Sequence, residues 1–168
     1  MRTLARPSRL AVCALALASC DVGAPARVQA PADSAAGEVT FELAGPGGAA
    51  LVVPVFINGE GPFDFVLDTG ATFTCVDDAL ATRHGLREQT GQVAIGAGIG
   101  GAGRVRLVRM DSIRIGGASA ERMTACVLDL QVLQQIGRGV QGLVGLNFLK
   151  SFRVTLDFQR NVVGLQAP

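Results

Sequence analysis

The sequence predicts a mostly β domain, folded as a small closed β-barrel with one or two short helices. Short runs alternate apolar with polar residues, as residues 152–158 do, which is typical of strands with one buried face. Glycine is abundant, at 22 of 168 residues, and pairs such as Gly116-Gly117 separate the runs as tight turns do. A chain of this length is expected to form one domain with a buried core.

The predicted elements follow one another with short connections. The extended segments lie at residues 40–43, 50–57, 63–67, 73–76, 93–95, 104–107, 110–115, 122–128, 142–145, 152–158 and 162–165. The short helices lie at residues 78–84 and 146–150, and residues 130–136 are expected to form a helical turn. Asp77 is expected to cap the first helix and Gly85 to end it.

His84 is the only histidine of the chain. It is expected on the surface of the first helix, because a metal site would need a second histidine or a nearby cysteine pair. No metal is therefore expected.

The first residues are expected to be a secretion signal. Residues 1–9 are basic and residues 10–18 are apolar or small, a stretch too short for a transmembrane helix. Leu17-Ala18-Ser19-Cys20 resembles a bacterial lipobox, after which Cys20 becomes the lipidated first residue. The alternative is an ordinary cleaved signal followed by an incidental cysteine.

The predicted organisation has three parts: a signal at 1–19, a lipidated Cys20 with a flexible tether at 20–38, and a folded domain at 39–168. The tether is rich in Ala, Pro, Gly and Ser and lacks apolar periodicity. The expected location is the periplasmic side of a bacterial envelope membrane. Asp21 favours the inner membrane, by resemblance to enterobacterial lipoproteins.

The charge of the chain gives no sign of a nucleic-acid partner. The formal net charge is +1, and three of the basic residues, Arg2, Arg6 and Arg9, lie in the leader. The remaining chain is slightly acidic and has no basic patch. No nucleic acid is expected to bind.

One stretch carries the candidate chemistry. An apolar run at 63–67 leads directly to Asp68, Thr69 and Gly70. An acid is costly in a core unless it is paired or catalytic, and a carboxylate at the end of a rigid strand suits acid–base chemistry. On the tripeptide alone a plain turn is the preferred interpretation, since Asp and Gly are ordinary turn residues.

The surrounding sequence changes that interpretation. Residues 53–59 read Val-Pro-Val-Phe-Ile-Asn-Gly, a strand that ends in a hairpin signal. Residues 142–149 read Gly-Leu-Val-Gly-Leu-Asn-Phe-Leu. Together with the Asp-Thr-Gly-Ala-Thr at 68–72, these motifs resemble the retropepsin-like aspartic proteases, the single-domain relatives of pepsin. The resemblance spans about residues 39–168.

The resemblance implies an aspartic endopeptidase with an acid-protease β-barrel, acting on peptide or protein substrates. Asp68 would be the catalytic acid, and the residues that follow would support the active site: Thr69, Gly70, Ala71 and Thr72. The chain has one Asp-Thr-Gly, and no other acid is followed by Thr-Gly. A homodimer would supply the second carboxylate.

A second segment receives a role from the same resemblance. Leu143, Val144 and Gly145 would pack against the strand that precedes Asp68 or would form a wall of a substrate pocket.

A glycine-rich segment at 96–103 matches G-x-G-x-x-G literally. A dinucleotide site needs a helix next, whereas residues 104–107 alternate like a strand, so no nucleotide cofactor is expected. A mobile hairpin fits better, at the place where the family carries a flap over its substrate. Gly98, Ile99 and Gly100 would then be flap residues, and a plain glycine-rich loop is the alternative.

The folded domain contains two cysteines, Cys75 and Cys126, in an expected oxidising compartment. In the family's fold, the strand after the catalytic loop lies near the strand that precedes the apolar-apolar-Gly segment. A disulfide between them is one expectation, and two buried free thiols are the other.

Three functions remain open from the sequence. The first is a membrane-tethered peptidase, which the intact Asp-Thr-Gly favours. The second is a catalytically silent peptide-binding module on the same fold. The third is a structural envelope lipoprotein without a peptide site.

Overall fold

The computed structural model describes residues 27–29, 37–98, 101–130, 133, 136 and 139–168, with the backbone pairing alone for 90–98 and 101–104. The strands are β1 Arg27–Gln29, β2 Glu38–Thr40, β3 Glu42–Ala44, β4 Ala50–Ile57, β5 Glu60–Leu67, β6 Cys75–Asp77, β7 Arg87–Gly98, β8 Gly101–Ile115, β9 Ala118–Leu128, β10 Gly142–Val144, β11 Arg153–Asp157 and β12 Val162–Gln166. The helices are α1 Asp78–Arg83 and α2 Leu146–Leu149, and Pro46–Gly48 forms a 3₁₀ turn.

The strands pair into a closed ring. The hydrogen-bonded path runs β9-β6-β10-β5-β4-β8, and β8 pairs in turn with β9. Outside this ring, β7 extends β8, β3 pairs with β4, and β1 pairs with β9. A separate three-stranded sheet has the order β11-β12-β2. The prediction of a mostly β, closed structure with short helices is confirmed.

An apolar core fills the structure and fixes β5. The inward side chains of β4, Val53, Val55 and Ile57, are 0% exposed, as a strand period of two requires. They belong to one cluster with Phe65 of β5 and Phe148 of α2. Because Phe65 anchors β5 in this cluster, the residue that follows the strand, Asp68, starts from a rigid base.

Helix α1 forms where the sequence predicts it. The Asp77 carboxylate accepts a hydrogen bond from the backbone N–H of Leu80 at 2.5 Å, so it satisfies one of the amides that a helix start leaves free. Leu80 and Ala81 point into the core. Gly85, with a φ of 57°, turns the chain after the helix.

The predicted strand at 40–43 is wrong as a single element. Phe41 separates β2 from β3, and these two strands belong to different sheets. The Phe41 side chain is 1% exposed, and its N–H donates to the carbonyl of Asn161 at 2.9 Å. Burial of this one ring bends the chain from one sheet to the other.

The structure also places strands within the segment interpreted as a tether. Residues of β1 pair antiparallel with β9, Val28 lying opposite Ala120, and β2 begins at Glu38. The sequence interpretation missed β1 because three residues are too few to show a period. Cys20 and the predicted signal lie outside the described residues.

Candidate active site

Asp68 directly follows β5, at the edge of the ring. Its backbone N–H donates to the carbonyl of Val144 at 3.0 Å, and its own carbonyl accepts from the N–H of Ala71 at 3.3 Å. The N–H of Gly70 donates to the carboxylate oxygen Oδ1 at 2.8 Å. A backbone amide therefore orients the carboxyl group and leaves Oδ2 for a water molecule or a second carboxyl group.

Strand β10 supports this loop from between two strands that are neighbours in sequence. It pairs parallel with β5, with Leu143 opposite Val66, and antiparallel with β6. The loop at 68–74 joins β5 to β6 and therefore passes over the end of β10. Two further bonds fasten the loop: the N–H of Leu146 donates to the carbonyl of Ala71 at 2.8 Å, and the N–H of Asn147 donates to that of Thr72 at 3.0 Å.

The glycine that begins β10 and the glycine that follows it are required by close packing. A Cβ on Gly142 would overlap the ring of Phe65 and would lie 2.6 Å from the carbonyl oxygen of Cys75. A Cβ on Gly145 would overlap the carbonyl group of Phe73 and would lie 2.8 Å from the carbonyl oxygen of Ala71. The predicted support role of Gly145 thus has a steric basis, since only glycine lets the loop backbone approach so closely.

A chain of polar contacts beneath the loop was missed by sequence reasoning. The N–H of Gly145 donates to Oγ1 of Thr74 at 3.2 Å, and Thr74 donates to Oδ1 of Asn147 through its hydroxyl at 2.9 Å and its N–H at 2.7 Å. Asn147 Nδ2 in turn donates to the carbonyl of Thr124 at 2.8 Å. Thr74 is 0% exposed, so these partners replace water.

The available signal for this network was an amide side chain within an apolar run, at Asn147 between Leu146 and Phe148. An asparagine among apolar residues needs several hydrogen-bond partners, so the residue indicates a polar network without identifying its members.

The remaining predicted support residues divide by exposure. Thr69, Gly70 and Thr72 are exposed, and Ala71 is half-buried. Of these residues, Gly70 contacts the Asp68 carboxylate through its N–H, and Ala71 contacts the Asp68 backbone carbonyl. The expectation that these residues support the active site stays a prediction.

Leu143 and Val144 point in opposite directions, as neighbours on a strand do. Val144 is 0% exposed and packs in the main core with Phe65, so it supports the strand before Asp68. Leu143 is half-buried and packs in a smaller cluster that contains Cys75 and Cys126. Of the two expected roles, packing against the strand before Asp68 fits Val144, and forming a pocket wall fits Leu143.

The two cysteines of the folded domain lie opposite each other on the parallel strands β6 and β9, with Cα atoms 4.4 Å apart. The structure joins them in a disulfide. Both cysteines are 4% exposed and pack with Leu107, Phe73 and Leu143, so the disulfide lies within the same apolar cluster as Leu143.

The glycine-rich segment forms a hairpin of β7 and β8. Pairing continues to Gly98 opposite Gly101. The segment is followed by a strand and not by the helix that a dinucleotide site needs. The predicted flap residues Ile99 and Gly100 lie outside the described residues. The register shifts between Glu88 and Val93, which marks an irregularity near the base of the hairpin.

Arg106 connects the base of this hairpin to α1. Its guanidinium pairs with Glu88 of β7 at 2.5 Å and with Asp78 of α1. The hydrogen bond to Glu88, together with the charge of Asp78, raises the pKa of Arg106 above its ordinary value. The arginine thus stays charged and holds the hairpin base to the helix.

The prediction that His84 lies on the surface is wrong. Its side chain is 7% exposed, and its ring contacts Phe63 edge-on with centroids 5.1 Å apart. Nδ1 lies 3.0 Å from the Glu60 carboxylate, and Nε2 is buried without a hydrogen-bond partner among the described residues. The residue is drawn inward because it ends α1 beside the start of β5.

Two negative findings apply to the described ranges alone. No group of three or more His, Cys, Asp or Glu side chains is placed to hold a metal ion. No helix in these ranges combines the length and apolar character needed to cross a membrane.

A closed β-structure in which a crossing strand supports an Asp-Thr-Gly loop defines the class of acid-protease domains. The family model described as "Aspartyl protease" matches residues 53–148, more than half of the chain, and the chain belongs to that family.

Comparison with solved structures supports the same fold. The chain is similar to a retropepsin-like aspartic protease from Rickettsia conorii, with a TM-score of 0.52 and 17% sequence identity. The match covers 84% of this chain and 93% of the other. At that identity the likeness establishes a retropepsin-like fold. No curated protein matches the chain significantly.

Proposed function

We propose that the protein is an aspartic endopeptidase whose catalytic pair is Asp68 from each of two identical subunits. The observation that carries this proposal is the position of Asp68: it follows the rigid strand β5, and the Gly70 N–H holds one carboxylate oxygen at 2.8 Å. The family supports peptide hydrolysis, and the sequence has one Asp-Thr-Gly. A twofold dimer is the arrangement that supplies the second carboxyl group.

The proposed chemistry follows from two carboxyl groups that share one proton. Two carboxylates in contact cannot both ionise cheaply, so the pair holds one proton between them. The ionised Asp68 takes a proton from water, whose oxygen forms a bond to the scissile carbonyl carbon. The protonated Asp68 donates to the carbonyl oxygen. As the C–N bond of the tetrahedral diol breaks, the Asp68 that took the water proton gives it to the leaving nitrogen. The other Asp68 takes a proton from a hydroxyl of the diol, so a carboxylic acid product forms and the pair again holds one proton.

The surroundings of the loop support an extended peptide as substrate. A β7–β8 hairpin and an exposed loop edge suit a chain that binds by strand addition, with alternate side chains in pockets. Half-buried apolar side chains pack against the cluster of Cys75, Leu107 and Cys126, which begins where the loop ends: Phe73, Val105, Leu128 and Leu143. We therefore expect a preference for apolar residues near the cleaved bond.

Replacement of Asp68 tests the activity. Asp68→Asn should reduce peptide hydrolysis by roughly 100- to 10,000-fold, because Asn is nearly isosteric but cannot accept and return the proton. Asp111→Asn is the matched control, since Asp111 is an exposed acid without a following Thr-Gly. Both proteins should keep the circular dichroism spectrum of the parent. An Asp68→Asn protein with parental activity would show the assignment to be wrong.

Two further measurements separate a dimeric peptidase from a silent peptide-binding module. Activity per subunit should fall on dilution as dimers dissociate, and a pepstatin-type inhibitor should block it. The pH–rate profile should be bell-shaped and should belong to the coupled pair. A parent protein that binds a peptide library without cleaving any member would favour the silent module.

In the same proposal the enzyme is a lipoprotein of the bacterial envelope that faces the periplasm, with the inner membrane favoured. The support is the lipobox-like sequence that ends at Cys20. Stable anchoring takes more than one acyl chain, which multiple acylation of such a cysteine supplies. Cys20→Ala should release the protein from membranes or block its processing. Unchanged fractionation and unchanged mass would contradict the proposal.

A further inference from the structure

A polar cavity of about 400 Å³ lies at the end of β5 remote from Asp68. Its described lining comes from the turn before β5, from the end of α1 and from the paired strands β7 and β8. Strand β5 has eight residues and spans about 25 Å, so the cavity is separate from the loop that carries the acid.

Two arginines lie opposite each other in this lining. Arg87 of β7 is paired with Arg109 of β8 in the antiparallel register. Opposed residues leave the same face of a sheet with Cβ atoms about 5 Å apart, and like charges in that position are unfavourable. Neither guanidinium has an ion pair within the part of the chain that the structure describes. A bound anion would replace this repulsion by two attractions.

Amide side chains of the lining are held in place by the neighbouring strands. Asn58 Oδ1 accepts from the N–H of Ser112 at 3.0 Å, and among the described residues no acceptor takes the Nδ2 hydrogens. Gln89 Nε2 donates to Oγ1 of Thr124 on β9 at 3.0 Å. A ligand would therefore meet a largely preformed wall, with a neutral donor available at Asn58.

His84 adds a buried polar group to the same lining. Its side chain is 7% exposed, and Nε2 has no hydrogen-bond partner in the described ranges. Buried polar atoms normally have a partner, and an exception indicates strain, function or a bound water or ion. Here the exception belongs to a residue that lines a cavity with two arginines, which favours a functional explanation.

Two acids also line the cavity, but neither neutralises the arginines. Glu88 follows Arg87, so its side chain leaves the opposite face of β7, where Arg106 binds it at 2.5 Å. Asp111 is exposed, and water and salt screen its charge. The lining therefore favours an anion at the position between Arg87 and Arg109.

We propose that this cavity binds a small oxyanion, a phosphate or a carboxylate, between the guanidinium groups of Arg87 and Arg109. A guanidinium presents paired N–H donors that match the oxygens of both groups. The bound anion would join β7 to β8 beside the register shift that begins at Glu88, and would stabilise the base of the hairpin. This inference does not depend on catalysis by Asp68.

Calorimetric titration of the full chain in mild detergent tests the binding. The probes are inorganic phosphate and citrate, with sodium chloride at equal ionic strength as the reference. We expect saturable binding of phosphate or citrate and none of chloride, and the tighter of the two probes identifies the source of the oxyanion. Absence of saturable binding for both probes would overturn the proposal.

Substitution of single arginines tests the position of the site. Arg87→Gln and Arg109→Gln should each weaken the tighter probe roughly tenfold, since each removes a charge-assisted hydrogen bond. Arg153→Gln is the matched control, because Arg153 is exposed on β11, outside the cavity, and should keep parental affinity. An equal loss in the control, or parental affinity in both cavity variants, would refute the site.

Thermal unfolding separates a binding role from a structural one. Without the anion, Arg109→Gln should unfold at or slightly above the parental temperature, since one of two opposed like charges is removed. With the anion, the parent should gain stability and the variant should not. A variant destabilised equally in both conditions would show that Arg109 only supports the fold.

These measurements use no peptide substrate, so their outcomes are distinguishable from those for the enzyme. A parent that binds the anion as expected and cleaves no peptide would support the cavity and refute the peptidase. A parent whose peptidase activity disappears in Asp68→Asn, and which binds neither phosphate nor citrate, would support the peptidase and refute the cavity.

Discussion

The two ends of β5 place polar side chains in opposite ways. At the far end, Asp68 is half-buried, and backbone amides a few residues away hold its loop. At the near end, the His84 side chain is 7% exposed, with Glu60 at one nitrogen and no described partner at the other. At the Asp68 end, the carboxyl group is partly exposed and hydrogen bonds hold the backbone around it. At the His84 end, the imidazole is buried and one of its nitrogens has no described partner.

This contrast indicates where the protein requires exact geometry. The Asp68 end depends on close backbone contacts at Gly142 and Gly145 and on the Thr74–Asn147 contacts beneath the loop. The His84 end depends on packing against Phe63 and on a contact between Nδ1 and the Glu60 carboxylate, which is 68% exposed. Single substitutions should therefore cost far more at the Asp68 end.

The largest effect on stability is expected for Gly145→Ala. The added Cβ would meet the carbonyl groups of Phe73 and Ala71, which are backbone and cannot rotate away. We expect a loss of about 3 kcal/mol in the free energy of unfolding, measured by urea denaturation. The control is Gly164→Ala, where the nearest atom to a new Cβ is 3.7 Å away and little change is expected. Equal effects of the two variants would contradict the close-packing argument.

A slightly smaller loss is expected for Asn147→Ala. It removes both acceptor contacts to Thr74 and leaves a buried N–H without a partner, a cost of about 2 kcal/mol. Peptidase activity should fall at temperatures well below the unfolding transition, since the loop that carries Asp68 loses its support. Gln159→Ala removes an exposed amide side chain and should leave both stability and activity unchanged.

A change within about 1 kcal/mol is expected for His84→Leu. The substitution removes a buried nitrogen that has no described partner and keeps an apolar side chain against Phe63, while Glu60 is left in water. Thermal unfolding measures the effect. A loss as large as that of Asn147→Ala would remove the contrast between the two ends.

The smallest effect is expected for Glu60→Gln. Its carboxylate is largely exposed, and ion pairs of that kind contribute about 0–1 kcal/mol. Denaturation at low and high salt should show a difference from the parent that disappears at high salt. A salt-independent loss would indicate that Glu60 holds His84 by more than charge.

The sequence predicted the strand before Asp68 because the pattern that marks it is local. Alternating apolar residues at 63–67 indicate the strand, and the acid and glycine that follow indicate the turn that ends it. The boundaries of β4 and the Asp77 cap of α1 were also predictable, since period and capping act over a few residues.

The contacts that sequence reasoning missed join distant parts of the chain. Asn147 and Thr74 are hydrogen-bonded although 73 positions separate them in the sequence. His84 contacts Glu60 only once α1 has packed beside β5. Phe41 likewise divides a predicted strand because its ring is drawn into a core that other elements build. No local sequence pattern predicts such long-range contacts, so only the folded structure shows them.

The crossing of β10 between β5 and β6 also dictates an order of events during synthesis. β5 and β6 are complete by Asp77, yet the strand that separates them begins only at Gly142. A partly synthesised chain therefore contains the acid but not its support, and such long-range pairing forms late. The loop that carries Asp68 therefore gains its support only after Gly142–Val144 has been synthesised.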